Sequence, residues 1–336
     1  MSKIAVIGTG AWGTALALSL SRRGGHEMTL LARSREVSGA INRDRENRAF
    51  LPGFPLPPNI TVTSDPEALA EADIAISAVP SQYLRSTFRH IAPHLKPDLV
   101  LVSATKGIED GTFLRMSEVI ADTLAQAGFQ HHIACGVLSG PSFAQEVASG
   151  FPTAVTIAFE DPALAVYIQR EFGSSSLRLY TNEDVTGVEL GGALKNVIAI
   201  SSGLVAGLGL GHSSAAALMT RGIAEITRLA VACGGRRETL AGLAGLGDLV
   251  LTCTGALSRN RSVGIALGRG RPLAEVLESL HGKVAEGVRT TSAALGLARR
   301  HGVEMPITEQ VEAILHQGRK PLDAIQELMS RPGRDE

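Results

Sequence analysis

The sequence predicts an α/β protein, with a doubly wound, mostly parallel sheet followed by an all-helical second domain. Short β-branched runs alternate with helical patterns through the first half of the chain, as in βαβ units. Strand patterns stop near Glu189, and helical patterns continue from there to Leu328. The 336 residues, of which 44% are hydrophobic, are enough for two cores. We therefore expect one domain over residues 1–188 and a second over residues 189–336.

Eight strands are expected in the first domain, from short apolar runs bounded by polar or turn residues. They are Ile4–Ile7, Met28–Ala32, Thr61–Thr63, Ile74–Ala78, Leu99–Ser103, Ile133–Leu138, Thr153–Ala158 and Leu177–Tyr180. The sequence Ser64-Asp-Pro-Glu67 fits a capping box in which Ser64 caps a helix over Glu67–Ala72. The Pro-rich segment Leu51–Pro58 is expected to form a loop.

Glycine clusters divide the helical second domain. We expect breaks between its helices at Gly203–Gly211, Gly234-Gly235, Gly242–Gly247 and Gly268–Gly270. The most apolar long stretch, Leu190–Gly211, includes Lys195 and Asn196 as well as several glycines. It therefore predicts a buried helix with a Gly-rich exit, and not a membrane span.

The first expected strand runs directly into the sequence G-x-G-x-x-G at the start of a helix. In this context Gly8 allows a tight turn, Gly10 leaves room for a pyrophosphate, and Gly13 lets the helix pack on the strand. The first N–H groups of that helix then face the diphosphate. The motif predicts a Rossmann-type dinucleotide-binding domain. The alternative is a glycine-rich turn that binds nothing.

The end of the second strand indicates which dinucleotide is bound. In this fold a carboxylate there binds the ribose hydroxyl of NAD, whereas an arginine accommodates the 2′-phosphate of NADP. Here the strand ends in Arg33-Ser34-Arg35, and the first carboxylate is that of Glu36. The sequence therefore favours NADP(H) and leaves the use of NAD(H) open. A solvated basic turn is the alternative interpretation.

Charge and cysteine usage exclude several classes of protein. The formal net charge of −1 gives no electrostatic reason to expect nucleic acid or an anionic membrane surface as a partner. Cys135, Cys233 and Cys253 form no C-x-x-C pair and have no metal-ligand spacing, so we expect neither a disulfide framework nor a metal site. The N-terminal MSKIAVIG enters a strand at once, which leaves no room for a signal peptide. A cytoplasmic protein that acts on a small molecule is expected.

Lys195 lies in the apolar sequence GGALKNVIAI. Small apolar neighbours would desolvate its ammonium group and lower its pKa toward the range of a catalytic acid or base. Such a lysine can take a hydroxyl proton while hydride leaves the same carbon. A lysine that extends its charged end to solvent from a half-exposed helix explains the pattern equally well.

Eight segments together resemble the soluble, bacterial-type NAD(P)-dependent glycerol-3-phosphate dehydrogenase family. They match the family's pattern in its order, from Ile4 to beyond Glu309: GTGAWGTALA, VPSQ, ATKGIE, LSGPSFAQEVA, ELGGALKNVIAI, AGLGDLVLTC, SRNRSVG and VAEGVRT. Many dehydrogenases share the glycine motif, whereas GGALKN, GLGD and SRN in this order are far more specific. Phe143 stands where the family often has His.

The resemblance implies reversible hydride transfer between sn-glycerol 3-phosphate and NAD(P)+, which gives dihydroxyacetone phosphate. The family's usual role is to supply glycerol 3-phosphate for phospholipid synthesis, and a homodimer is a family-level expectation. Lys195 resembles the proton acceptor, and Asp248 would hold substrate and orient Lys195. The crevice between the two domains is the expected ligand site.

The resemblance also implies two sets of binding residues. The substrate contacts are Lys106, Gly140, Ser142, Lys195, Asp248, Ser258, Arg259 and Asn260, the last three at the phosphate end. The cofactor contacts are Gly8, Gly10, Ala11, Trp12, Gly13, Arg33, Lys106, Ala144, Arg259, Val284 and Glu286.

Two of the substrate residues also have a predicted local structure. We expect Ser258 to cap a helix through Gly264–Leu267, where a phosphate gains N–H groups, and Asp248 to lie in a loop.

Two other functions stay open. A different two-domain NAD(P)-dependent dehydrogenase, acting on a hydroxy acid or a sugar acid, would share the glycines but would not need SRN near a phosphate. A noncatalytic NADP sensor would have no reason to keep both Lys195 and Asp248.

Overall fold

The computed structural model of the protein describes residues 2–131, 133–280 and 284–333. The chain divides into two compact units. The first comprises Met1–Lys106 and Leu114–Glu189, and the second comprises Gly107–Phe113 and Leu190–Glu336. A short segment from the first half of the chain, Gly107–Phe113, belongs to the second unit. The sequence did not predict this.

The first unit is built on one sheet, whose strands form where β-branched and other apolar residues cluster. The strands are β1 (Ser2–Ile7), β2 (His26–Leu31), β3 (Ile60–Thr63), β4 (Ile74–Ser77), β5 (Val100–Ser103), β6 (Cys135–Ser139), β7 (Thr153–Ala158) and β8 (Leu177–Asn182). Their order in the sheet is β3-β2-β1-β4-β5-β6-β7-β8. Only β6 and β7 pair antiparallel in the described part of the sheet. The predicted doubly wound, mostly parallel sheet is confirmed.

Helices cover both faces of this sheet. They are α1 (Ala11–Arg23), α2 (Arg35–Asp44), α3 (Ser81–Ile91), α4 (Met116–Gln126), α5 (Ala144–Ser149) and α6 (Pro162–Phe172). Neighbouring residues of β1 point to opposite faces, and both faces are buried. Val6 packs in one apolar cluster with Leu16 of α1, and Ala5 packs in the other with Phe88 of α3.

Beyond Glu189 the described chain is helical, as predicted. The helices are α7 (Val185–Gly207), α8 (His212–Ala232), α9 (Arg237–Ala241), α10 (Asp248–Thr254), α11 (Arg259–Gly268), α12 (Leu273–Glu278), α13 (Glu286–Arg300), α14 (Pro306–His316) and α15 (Pro321–Met329). By length and composition α7 could cross a membrane. However, 89% of its apolar window is buried inside the protein, which makes it a core helix of this fold.

Glycines allow α7 and α11 to pack in unusually close contact. A Cβ on Gly203 would lie 2.1 Å from the carbonyl oxygen of Arg261, and one on Gly264 would lie 2.0 Å from that of Ile200. Gly207 and Gly268 repeat the contact one turn further along. The expected break over Gly203–Gly211 is therefore wrong in its first part, because α7 continues to Gly207.

Two local predictions are also corrected. The segment expected as a helix over Glu67–Ala72 is a short 3₁₀ turn, Pro66–Leu69. Its cap is Asp65, whose carboxylate accepts a hydrogen bond from the Glu67 N–H at 3.1 Å, and not Ser64. Asp65 precedes Pro66 directly, so its shorter path to the first free N–H displaces the predicted capping box.

Candidate functional site

The glycine motif of the first unit forms a tight connection between β1 and α1. Gly8 has a φ of +110°, which favours glycine, and its N–H donates to the Leu31 carbonyl at 2.9 Å. A Cβ on Gly13 would lie 2.1 Å from the Gly8 oxygen, so only glycine lets α1 start this close to the strand. Both residues therefore meet the structural requirements that the motif predicts.

The same loop has room for a dinucleotide. Gly10 is the N-cap of α1 and has no side chain to occupy the first N–H groups of the helix. A Cβ at Gly10 would meet no protein atom within 4 Å, so the space beside it is open. Ala11 and Trp12 follow in the first turn, both half-buried, and the buried Trp12 Nε1 has no hydrogen-bond partner among the described residues. These features fit a pyrophosphate bound at the start of α1.

Four predicted contact positions of the first unit lie at one edge of the sheet. The glycine loop, Arg33, Lys106 and Gly140 follow the carboxyl ends of β1, β2, β5 and β6, which all run in the same direction. Ligands of doubly wound sheets bind at this edge. The arrangement is therefore that of a dinucleotide-binding edge.

The side chains at this edge have distinct environments. Arg33 is exposed, whereas the Ser34 hydroxyl caps α2 by accepting the Val37 N–H at 3.4 Å. Gly140 has a φ of +144°, and a Cβ there would lie 2.9 Å from the Val155 Cα. Ser142 donates to the Gly140 carbonyl at 3.0 Å. Lys106 and Ala144 are half-buried.

In the second unit, Lys195 of α7 and Asp248 of α10 form a buried ion pair. The Lys195 ammonium donates to the Asp248 carboxylate and to the Thr252 hydroxyl, the latter at 2.9 Å. Lys195 is 7% exposed and Asp248 is 1% exposed. The pair is confirmed as a structural feature, and the alternative of a lysine that extends to solvent is excluded.

Helix geometry explains how Thr252 joins this pair. Asp248 and Thr252 lie four residues apart in α10 and so share one face of the helix. The Thr252 hydroxyl donates to the Asp248 backbone carbonyl at 2.6 Å, which turns an oxygen lone pair toward Lys195. Burial raises the pKa of the neighbouring Cys253 thiol to about 12, so that this thiol is neutral beside the ion pair.

Asp248 does not lie in a loop, as the sequence had indicated. The residues before it, Leu243–Gly247, form a π-helical turn, and Asp248 is the first residue of α10. A Cβ on Gly245 would lie 2.1 Å from the Leu240 oxygen, so glycine is needed for this irregular turn. π-Helical turns of this kind are frequent at functional sites.

The predicted phosphate-end residues lie around the start of α11. Ser258 is the N-cap, and its hydroxyl accepts the Arg261 N–H at 3.2 Å, which confirms the predicted cap. Arg259 is exposed. Asn260 is buried, and its amide donates to the Asn196 side-chain oxygen at 2.9 Å while accepting the Gly287 N–H at 3.0 Å.

This amide pair connects three helices of the second unit. Asn196 follows Lys195 in α7, Asn260 lies in α11, and Gly287 lies in the first turn of α13 beside Glu286. The side chains of Asn196 and Asn260 therefore fix the start of α11 relative to Lys195. Glu286 and Val284 are both half-buried at this end of α13.

Sequence reasoning assigned no role to Thr252 or Asn196. The four-residue spacing between Asp248 and Thr252 was a signal for the first, once α10 is known to be helical. No sequence signal pairs Asn196 with Asn260, since they lie 64 positions apart in the sequence. Within the described residues, no group of three His, Cys, Asp or Glu side chains is arranged to hold a metal ion.

Comparison with known proteins agrees with this arrangement in both units. Residues 3–165 match the family model for the NAD-dependent glycerol-3-phosphate dehydrogenase N-terminus, and residues 184–326 match the model for its C-terminus. A glycerol-3-phosphate dehydrogenase [NAD(P)+] of Acidobacterium capsulatum is 62% identical over 340 residues, covering 100% of both chains. That of Geobacter sulfurreducens is 51% identical, covering 98% of this chain and 97% of the relative.

A solved structure extends the likeness to three dimensions. The crystal structure of glycerol-3-phosphate dehydrogenase from Coxiella burnetii has a TM-score of 0.92 and 38% identity, covering 98% of this chain and 99% of that one. The similarity thus includes both units and nearly every residue. The chain belongs to the NAD-dependent glycerol-3-phosphate dehydrogenase family.

Proposed function

We propose that this protein catalyses reversible hydride transfer between sn-glycerol 3-phosphate and NAD(P)+, with dihydroxyacetone phosphate as the other product. The observation that carries the proposal is the buried cluster of Lys195, Asp248 and Thr252, in a chain of this family. A buried lysine held by a carboxylate is suited to proton exchange with a substrate oxygen. The bound nicotinamide supplies or accepts the hydride at C2.

Lys195 is the proposed proton-transfer group. In the reductive direction its ammonium donates a proton to the oxygen developing on C2, and in the oxidative direction its amine removes the hydroxyl proton. Asp248 stabilises the charged form and holds the ammonium in one direction, since its carboxylate is 1% exposed. Thr252 limits rotation of the ammonium through the bond of 2.9 Å.

The start of α11 is the proposed site for the substrate phosphate. Ser258 caps the helix, and the first N–H groups with the helix dipole favour an anion there. The exposed Arg259 guanidinium adds a fork of donors suited to phosphate. Asn260 holds this turn through its bonds to Asn196 and Gly287. Lys106, Gly140 and Ser142 are further proposed substrate contacts.

The first unit is the proposed binding site of the cofactor. The proposed cofactor contacts are Gly8, Gly10, Ala11, Trp12, Gly13, Arg33, Lys106, Ala144, Arg259, Val284 and Glu286. The exposed Arg33 and the absence of a carboxylate at the end of β2 favour NADP(H) over NAD(H).

Arg33→Asp should therefore weaken the use of NADPH selectively, because it replaces the positive charge that would face the 2′-phosphate. An unchanged ratio of kcat/KM for NADPH and NADH would remove Arg33 from cofactor selection.

An assay of reduced-cofactor consumption tests the proposed reaction. Wild-type protein should oxidise NADPH with dihydroxyacetone phosphate and should be very poor with unphosphorylated dihydroxyacetone. A turnover with keto acids instead would indicate a hydroxy-acid dehydrogenase, and cofactor binding without any turnover would indicate a sensor. The same assay with NADH gives the cofactor ratio.

Arg259→Ala tests the position of the phosphate. A hydrogen bond to a charged group contributes about 1.5–3 kcal/mol, so kcat/KM for dihydroxyacetone phosphate should fall on the order of 10- to 100-fold or more. The residual rate with dihydroxyacetone should fall far less. Equal losses on both substrates would mean that Arg259 serves the cofactor or the fold.

We also propose a cytoplasmic homodimer that supplies glycerol 3-phosphate for phospholipid synthesis. The resemblance to the family supports this proposal. Light scattering on the eluate of a sizing column measures the mass of the particle, and a mass of one 35.1 kDa chain would contradict the dimer.

A further inference from the structure

Asn47, in the segment after α2, holds the loop between Gly8 and Gly10. Asn47 is 2% exposed. Its side-chain amide nitrogen donates to the Thr9 backbone carbonyl at 2.7 Å and to the Thr14 hydroxyl at 2.8 Å. Both hydrogens of the amide are thus used, one on each side of the turn that leads into α1.

The bond to Thr9 determines where the next N–H points. The peptide bond between Thr9 and Gly10 is trans, so its carbonyl and its N–H point in opposite directions. Because Asn47 draws the Thr9 carbonyl inward, the Gly10 N–H is directed away from Asn47. Gly10 is the N-cap of α1, at the place where a Cβ would meet no protein atom.

The bond to Thr14 fixes the other side of the turn. Thr14 is fully buried in α1, and its N–H donates to the Gly10 carbonyl at 3.0 Å. Asn47 therefore joins the incoming strand and the outgoing helix through one rigid amide group. Without it, the Thr9 carbonyl loses this donor, and the glycines on either side allow the peptide unit more than one orientation.

Asn47 is itself held in place by its own segment. The Arg45 guanidinium donates to the carbonyls of Pro57 and Ile60 at 2.6 and 3.1 Å. These bonds join the two ends of the segment that contains Asn47. The Leu51 N–H donates to the Asn47 carbonyl at 2.8 Å, and the Leu51 side chain is buried in the sheet core. The Pro-rich loop of the sequence analysis is therefore a packed support for the glycine loop.

We propose that Asn47 is a positioning residue for the cofactor pyrophosphate, because it sets the direction of the Gly10 N–H. The proposal rests on the proposed use of NAD(P) as the cofactor, but not on the identity of the substrate. Asn47 acts through the backbone of Thr9 and Gly10 and does not contact the cofactor.

Asn47→Asp is the sharpest variant, because it keeps the shape of the side chain and replaces the donor by an acceptor. The dissociation constant of NADP+, measured by isothermal titration without substrate, should rise about tenfold or more. At saturating cofactor, kcat should remain within about threefold of wild type, since a loss confined to cofactor binding appears in KM. The KM for dihydroxyacetone phosphate should not change.

The pH dependence of binding separates this role from a general loss of structure. Protonation of the introduced carboxyl restores one O–H donor toward Thr9. The ratio of NADP+ affinities, Asn47→Asp over wild type, should therefore rise as the pH is lowered. A ratio independent of pH would contradict the hydrogen-bond mechanism.

Asn42→Ala is the control for the loss of an amide–carbonyl hydrogen bond elsewhere in the first unit. Asn42 donates to the Val62 carbonyl at 2.9 Å, so this variant also loses an amide–carbonyl bond of the same unit, but away from the glycine loop. It should bind NADP+ as wild type does.

If Asn47→Asp fails to fold, Thr14→Val is the second variant. It removes one of the two acceptors of the Asn47 amide and should raise the dissociation constant of NADP+ about threefold.

Besides a ratio independent of pH, two outcomes would overturn the proposal. One is wild-type NADP+ affinity in a folded Asn47→Asp protein, and the other is an equal loss of affinity in Asn42→Ala. Failure of the proposed function gives a different result, because wild-type protein would then bind NADP+ but not reduce dihydroxyacetone phosphate.

Discussion

The ammonium group of Lys195 and the carboxylate of Asp248 are both removed from water, so each depends on the other. Removing one partner of a buried pair leaves an uncompensated charge and is typically destabilising by about 3–5 kcal/mol. A variant that lacks only Lys195 can therefore lose activity for two reasons, because its proton-transfer group is missing and because its folded state is less stable. The two effects can be separated by a second change at Asp248.

Lys195→Ala should lower kcat by about 10²- to 10⁴-fold, the usual contribution of a positioned acid or base. Its unfolding temperature should also fall, because Asp248 is then buried without its partner. Lys195→Ala combined with Asp248→Asn should recover part of the unfolding temperature and none of the activity. Recovery of turnover in the double variant would exclude proton transfer by Lys195. Lys195→Arg should not rescue turnover, since guanidinium keeps its proton at neutral pH.

At the scale of elements, the contact between α7 and α11 depends on the missing side chains of four glycines. Gly203 and Gly207 of α7 face Gly264 and Gly268 of α11. This contact places the start of α11, with Ser258 and Asn260, beside the helix that carries Lys195. A methyl group at the contact must separate the two helices, since the nearest atoms are backbone atoms.

Gly264→Ala should lower the free energy of unfolding by at least about 1–3 kcal/mol, the usual cost of overpacking. Gly39→Ala is the matched control, because Gly39 also lies inside a helix, α2, but its Cβ would meet no atom within 4 Å. That control should stabilise the protein by about 0.4–1 kcal/mol, since alanine restricts the unfolded chain. Chemical denaturation monitored by circular dichroism measures both. Equal effects of the two substitutions would contradict the close contact.

A second element-scale feature is the buried carboxylate of Glu225 in α8, which caps the start of α14. It accepts hydrogen bonds from the backbone N–H groups of Ile307 and Thr308, each at 2.9 Å, and from the Thr308 hydroxyl at 2.6 Å. Burial raises the pKa of Glu225 above its ordinary value, against the opposite effect of these bonds. The folded protein therefore holds a proton on Glu225 at pH values where the unfolded chain has lost it.

The sign of the pH effect follows from this difference. Between the unfolded pKa, about 4.3, and the raised pKa of the folded state, the folded protein binds more protons, so the contribution of Glu225 to stability falls as pH rises. Glu225→Gln removes this group, and the unfolding free energy of wild type relative to the variant should decline through that window. Glu238→Gln, at an exposed carboxylate, is the control. If the unfolding free energy of wild type relative to Glu225→Gln instead grew with pH, the raised pKa of Glu225 would be contradicted.

At the scale of the whole molecule, the sequence predicted best those structural features that depend on residues close together in the chain. Each of the eight expected strands is present, because β-branched side chains pack well on a pleated sheet and turn residues mark the ends of each run. The glycine motif and the Ser258 cap were likewise readable from neighbouring residues, whereas the residues around Lys195 left its burial undecided. Two local predictions were wrong, the cap at Ser64 and the loop at Asp248. The other features that the sequence did not indicate depend on contacts between distant residues.

Glycine shows why those contacts are not readable. Gly203 was expected to end a helix, yet it lies inside α7, where its missing side chain lets α11 approach. The segment Gly107–Phe113 is a second example. The Arg300 guanidinium lies 4.5 Å from the centre of the Phe113 ring and donates to the Thr112 carbonyl at 2.7 Å. Thr112 and Arg300 lie 188 positions apart in the sequence, and no local pattern indicates that they pair.

Trp12 gives the molecule an internal optical reporter. It is the single tryptophan of the chain, and it lies in the first turn of α1, two residues after Gly10. All indole emission of the protein therefore originates beside the proposed pyrophosphate site. Reduced nicotinamide absorbs light in the range where indole emits, so bound NADPH should quench Trp12 by energy transfer, and NADP+ should quench it less. A titration with no change in Trp12 emission would contradict binding of the dinucleotide beside α1.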